Sequence, residues 1–215
     1  MLQGIEKVVD MQKHWIIMLL LAAVMACSAP EEAPAPLDGA WSLVPDNSQI
    51  AFVSIKADSV GEAHRFLTES GAVDASGKAE VTIDLSSVDT AVDIRDERMR
   101  DILFQVEQFP DAKVGAQIDP KLLETLKLGE QKTLTTPLSL ELHGVGGEFD
   151  ADLAVTRIAD DRVLVETVKP VIVDATQFAL GEGLDQLREI AGLPSISPAV
   201  PVTASLVFAK DGSAQ

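Results

Sequence analysis

The chain has 215 residues, with 17 Lys plus Arg against 34 Asp plus Glu and a formal net charge of −17 at pH 7. A surface this acidic repels phosphate backbones and anionic headgroups, which argues against nucleic-acid binding and against membrane adhesion through a polybasic patch. Aliphatic residues are plentiful, Tyr is absent and Cys27 is the one cysteine, so the fold must stand on aliphatic packing without an intramolecular disulfide.

Residues 1–27 read as a signal peptide. Lys13 and His14 precede an apolar run, 16–26, that ends at Cys27. The run is too short to span a bilayer and suits the apolar region of a leader. Met11 is the better start, because Met1–Asp10 adds acidic residues. Removing residues 1–26 takes away Lys7, Lys13, Glu6 and Asp10, so the net charge does not change. Val24-Met25-Ala26-Cys27 resembles a bacterial lipobox. The resemblance implies a diacylglycerol thioether at Cys27, cleavage before it, and a lipid-anchored protein of the bacterial cell envelope facing the periplasm. Ser28, rather than Asp, favours the outer membrane. The alternative is an ordinary secretory signal with an incidental cysteine. Residues 28–39 form a Pro/Glu-rich linker that cannot bury apolar surface.

From residue 40 to 210 the chain reads as one domain rich in strands. Strand signals cover Gln49–Ala57, Arg65–Val73 (weaker), Ala79–Leu85, Lys113–Ile118, Lys132–His143, Glu148–Ile158, Arg162–Val168 and Val200–Ala209. Val81, Ile83 and Leu85 share one face of their strand, and Val202, Ala204, Leu206 and Phe208 share one face of the last. Turn signals fall at Pro45-Asp46-Asn47, Ala75-Ser76-Gly77, Gly144–Gly147 and Asp160-Asp161. Two helical stretches interrupt the alternation. One follows Asp93, which is placed to cap it, with Ile94, Met99, Ile102 and Leu103 on its apolar side; Phe109-Pro110 stops it. The other is Gly183–Ala191. Many short antiparallel strands with one polar face suggest a sandwich or an up-and-down barrel, and the pattern alone does not choose.

Three stretches carry a family resemblance. They are Trp41–Phe52 (WSLVPDNSQIAF), the run Ser87–Ala112 (SVDTAVDIRDERMRDILFQVEQFPDA) and Leu138–Val145 (LSLELHGV). In order and spacing they are similar to the YceI-like family of periplasmic lipid-binding proteins, over about residues 40–209. The resemblance implies an all-β fold: an extended eight-stranded antiparallel barrel, lipocalin-like, with one or two short helices and an apolar lumen. Gly146-Gly147 departs from the Thr and polar residue usual after His-Gly-Val in the family. Lys113-Val114 replaces its usual aromatic.

On that resemblance the barrel would bind, and sequester or carry, a long isoprenoid or similar amphipathic lipid, with a quinone among the candidates. The candidate ligand surface is Phe52, Val81, Ile83, Leu85, Leu140, Leu142, Phe178, Leu206 and Phe208, with His143 as a polar contact at the mouth. Arg95, Arg98 and Arg100 would form a lid able to meet a polar or pyrophosphate head, the alternative being a solvated helix face. The partners would be the lipid, the membrane through Cys27, and an envelope or membrane redox protein. No cofactor, metal site or enzyme motif is indicated: neither His64 nor His143 lies in ligand spacing with the other, and Gly144–Gly147 joins strands rather than opening a helix. Two other readings stand beside this one. The barrel could be packed solid, an interaction module meeting a basic partner through its acidic surface. Or it could be a lipid-acting enzyme, for which Asp84, Asp89 and His143 are the only candidate groups.

Overall fold

Period-two alternation builds almost all of the domain. The computed structural model describes residues 39–67, 69–122 and 126–212. The expected signal peptide, the Val24–Cys27 motif and the expected linker up to Asp38 lie outside the described residues. The strands are β1 Trp41–Leu43, β2 Gln49–Lys56, β3 Val60–Phe66, β4 Glu69–Val73, β5 Lys78–Asp84, β6 Val88–Asp89, β7 Asp111–Gln117, β8 Gln131–Leu142, β9 Val145–Ala159, β10 Arg162–Thr167, β11 Val171–Asp174 and β12 Ala199–Lys210.

These segments form eight long staves, four of them broken. β1 and β2 both lie along β12, and so do β10 and β11. β4 pairs β1 while β3 pairs β2, and β5 pairs β4 while β6 pairs β3. Each stave neighbours the next in sequence, and β12 returns to β1 with Trp41 opposite Lys210. The sheet is therefore a closed antiparallel up-and-down barrel, in which only the short β6 and β11 are paired on one side alone. That closure decides between barrel and sandwich. The Pro45–Asn47 signal marks a break inside a stave, not a hairpin; Ser48 spans the break, its hydroxyl donating to the Val44 carbonyl at 2.8 Å and accepting the Val207 amide at 3.0 Å.

The β4–β5 and β9–β10 hairpin turns fall at the expected signals, the β2–β3 turn at Ala57 and Asp58, both at positive φ, had no signal, and the glycine-rich turn is shifted. His143 and Gly144, at φ 51° and 74°, form the two-residue β8–β9 turn, which requires positive φ at both positions. Gly146 and Gly147 belong to β9, opposite Glu141 and Leu140. A Cβ at Gly147 would stand 2.7 Å from Cζ of Phe178, a residue with no solvent exposure. The departure from the family pattern here makes room for an aromatic ring.

Helix α1, Asp93–Arg98, runs on as a π-helical turn, Met99–Phe104, which Gln105 ends in the left-handed region. The expected cap at Asp93 is not made. The cap residue is Val92, without a side-chain hydrogen bond, and it is buried Asp96 that reaches back to accept the Thr90 amide (2.9 Å) and hydroxyl. Helix α2, Gly181–Ile190, packs on the π-helical turn through Gly183, whose Cβ position is 2.9 Å from the Ile102 carbonyl oxygen. Both helices lie at the end of the barrel that carries the β2–β3 and β8–β9 turns. No helix among the described residues is long and apolar enough to cross a membrane.

Candidate functional site: the barrel lumen

The inward faces of the staves do not fill the barrel. A cavity of about 410 Å³ occupies the helical end and a second, of about 370 Å³, the opposite end. A solidly packed core is thereby set aside. Each volume is that of an ordinary small-ligand pocket.

Most of the expected apolar surface lies on this lumen. Phe52, Val81, Ile83, Leu85, Leu140, Leu142 and Leu206 line the helical-end cavity. Phe208 lines the far one, together with Val81 and Leu206. Phe178 lines neither: it is fully buried in the core on the inner side of β9, against Gly147 and stacked 6.1 Å from Phe149, which lines the helical-end cavity. Arg95 and Arg98 line the same cavity. Arg100 lines neither and donates to the Ser86 carbonyl at 3.4 Å. Arg95 and Arg98 are three residues apart and share a helix face, whereas Arg100 is turned away from it.

His143 is also displaced from its expected role. As a turn residue it lines neither cavity, and its ring lies 4.2 Å from that of Phe109, with both nitrogens buried and without a hydrogen bond among the described residues. Asp84 accepts the Ser86 amide and hydroxyl in a local turn. Asp89 accepts the Ala91 amide and pairs with Arg65 at 3.0 Å. The three groups named for an enzyme thus hold separate local structures, and none of them lines a cavity. Among the described residues no cluster of His, Cys, Asp or Glu is placed to hold a metal.

The polar mouth comes instead from residues that sequence reasoning passed over. Ile50, Phe52, Ser54 and Lys56 follow one another along the inward face of β2, and Glu62 and His64 join them from β3. The change along β2 from apolar to polar at every second residue was the available signal. Arg95 is locked here: it pairs with Glu62 at 2.6 Å and donates to the Thr90 hydroxyl (2.8 Å) and carbonyl (2.6 Å). Lys56 also pairs with Glu62, at 2.8 Å. Lys56, Arg95 and the resulting charges hold the Glu62 carboxyl below its usual range. The Arg98 side chain, by contrast, makes no hydrogen bond or ion pair among the described residues, and it lines the cavity. His64 is 5% exposed; its Nε2 lies 2.8 Å from the Ser54 hydroxyl and its buried Nδ1 has no partner.

Burial, then the nearby charge of Arg95, pushes the His64 imidazole below its ordinary value of 6.5, and burial does the same to His143. The folded protein therefore prefers both rings neutral, while the unfolded chain takes up protons near pH 6.5. The stability they contribute is complete above that pH and is lost as pH falls from there toward the depressed folded values. Glu62, Asp74, Asp89, Asp152 and Asp174, all lowered, act in a separate window below about 4.5, and Glu69, raised by burial, acts in the opposite sense above it. Urea unfolding measured between pH 7 and 5 is expected to show a falling free energy, and the double variant His64→Gln/His143→Gln a flatter profile. An unchanged slope in the double variant would refute the assignment.

With this geometry in view, the model of the YceI-like domain matches residues 41–208. Among solved structures, a polyisoprenoid binding domain from Saccharophagus degradans, implicated in plant cell wall breakdown, is 36% identical at a TM-score of 0.77; the match covers 79% of this chain and 98% of that one. BcnA from Burkholderia cenocepacia shares the fold at 17% identity and a TM-score of 0.60, covering 77% of this chain and 98% of its own. No curated protein matches the chain.

Proposed function

This chain belongs to the YceI-like domain family, and on that premise we propose that its barrel sequesters or carries a long isoprenoid or similar amphipathic lipid, without a chemical step. The observation that carries the reading is the polarity of the lumen: apolar along its length, with Ser54, Lys56, Glu62, His64, Arg95 and Arg98 gathered at one end. The tail would lie against Phe52, Val81, Ile83, Leu85, Leu140, Leu142 and Leu206. Burying one isoprene unit, on the order of 100 Å² of apolar surface, contributes about 2.5 kcal/mol, so a few units retain the lipid before any polar contact is made. The head would sit at the mouth. The Arg98 side chain is a cation with no partner among the described residues and lines the cavity; as a donor it suits the oxygen acceptors of a quinone ring or of a prenyl phosphate. The 36% identical polyisoprenoid binding domain supports the same class of ligand.

The test is native mass spectrometry of the protein purified from a bacterial envelope, followed by lipid extraction. A bound species with isoprene-spaced fragments is expected. A clean unliganded mass, with no uptake of added quinones or polyprenyl phosphates, would overturn the reading. The proposal includes a lipid anchor at Cys27, on the outer membrane and facing the periplasm. Accordingly, Cys27→Ser is expected to move the protein from the membrane pellet into the soluble fraction; retention in the pellet would rule the anchor out.

A further inference from the structure

The two cavities are not independent. Val81, Val114, Leu138, Thr167, Ala204 and Leu206 line both of them. These six come from five staves and form a belt across the lumen. Val81 and Val114 are direct partners across β5 and β7. Ala204 and Leu206 stand two residues apart on the inward face of β12, and Val165, just before Thr167 on the same face of β10, is the partner of Leu206. The one polar side chain of the belt is Thr167, whose hydroxyl accepts the Ala204 amide at 3.1 Å; the other five members are apolar, so the belt presents an apolar chain with little hydrogen-bonding demand. Beyond it, the far cavity continues as an apolar space that includes Trp41, Leu153, Val155 and Phe208.

We infer that this belt sets the chain length the barrel accepts. The inference rests on the isoprenoid reading above. A short chain fills the helical-end cavity and stops at the belt. A long chain threads through it and fills the far cavity as well, and the extra apolar burial makes the longer lipid the tighter ligand. Ala204 is the smallest member, so a larger side chain there closes the passage, whereas Leu138→Ala widens it.

Trp41 makes the passage visible. It is 5% exposed and lines the far cavity, and the chain's second tryptophan is Trp15 in the leader. The experiment uses the full chain carrying Trp15→Phe, with farnesol as a short isoprenoid alcohol and solanesol as a long one. Occupancy is read by native mass spectrometry and the far cavity by Trp41 emission. Both alcohols are expected to bind, but only solanesol to shift the emission. Ala204→Phe is expected to weaken solanesol binding by about tenfold or more while leaving farnesol within about twofold. Leu138→Ala serves as the second variant should Ala204→Phe fail to fold: by widening the belt it is expected to let farnesol reach the far cavity and shift the Trp41 emission, and a farnesol response unchanged from the unaltered belt would count against the inference. Equal loss of both ligands in Ala204→Phe, or equal emission shifts from both in the unaltered belt, would overturn the inference. If neither alcohol binds the unaltered belt, the isoprenoid reading itself falls, and the belt with it.

Discussion

Phe178→Ala is expected to lower the unfolding free energy by about 3–5 kcal/mol, the range for removing a buried phenylalanine. The ring has no solvent exposure. It lies against Gly147 on one side and stacks with Phe149 on another. It ends a tight turn, Ala175–Phe178, that Asp174 holds by accepting the Thr176 amide (2.9 Å) and hydroxyl (2.7 Å). That turn leads directly into α2, so neither side can collapse easily into the space left behind. Urea unfolding followed by circular dichroism measures the effect, and a loss under about 1 kcal/mol would contradict it. Gly147→Ala tests the same contact from the strand side. Its methyl must displace the ring, at a cost of about 1–3 kcal/mol. In a Phe178→Ala background that cost should vanish, because the two positions share one space. Additive losses would mean that the ring and the glycine act separately.

Ala112→Trp is expected to abolish uptake of lipid while leaving the barrel folded. Ala112 is 4% exposed, points inward from β7 and lines the helical-end cavity. An indole there occupies the space proposed for the tail. Overpacking in a filled core costs about 1–3 kcal/mol, but here the new ring enters a cavity of about 410 Å³. The control is Lys113→Trp, one residue on and exposed on the outer wall; period-two alternation makes it equal in chemistry and opposite in placement. Native mass spectrometry with an added quinone is expected to find the complex in the control and not in Ala112→Trp. Equal uptake by both would place the lipid outside the lumen and remove the functional reading. Equal failure of both would point instead to damage from the added ring itself.

Much of the wall was legible because facing is a local property. Val81 and Ile83, or Leu206 and Phe208, declare a common side by spacing alone. The charged run from Asp93 also declared its helix, but all three arginines read alike in sequence; only the structure turned Arg100 away from the lumen that Arg95 and Arg98 line. Resemblance supplied the stave count, which alternation could not. Three things depended on partners distant in the chain. Closure needs Trp41 beside Lys210, and nothing local to either residue encodes that pairing. The polar mouth needs Phe52 opposite His64 across the β2–β3 hairpin, a register that a one-residue slip would turn inside out. The volume of the lumen depends on how far side chains from opposite staves reach. The sequence by itself determined an acidic, disulfide-free β-domain with named apolar faces, because those properties are set within a few residues of each position. The tertiary structure alone decided that the faces close around a lumen, that His64 rather than His143 stands at its mouth, and that six residues from five staves line both of its cavities, because each of these is a distance between segments far apart in the chain.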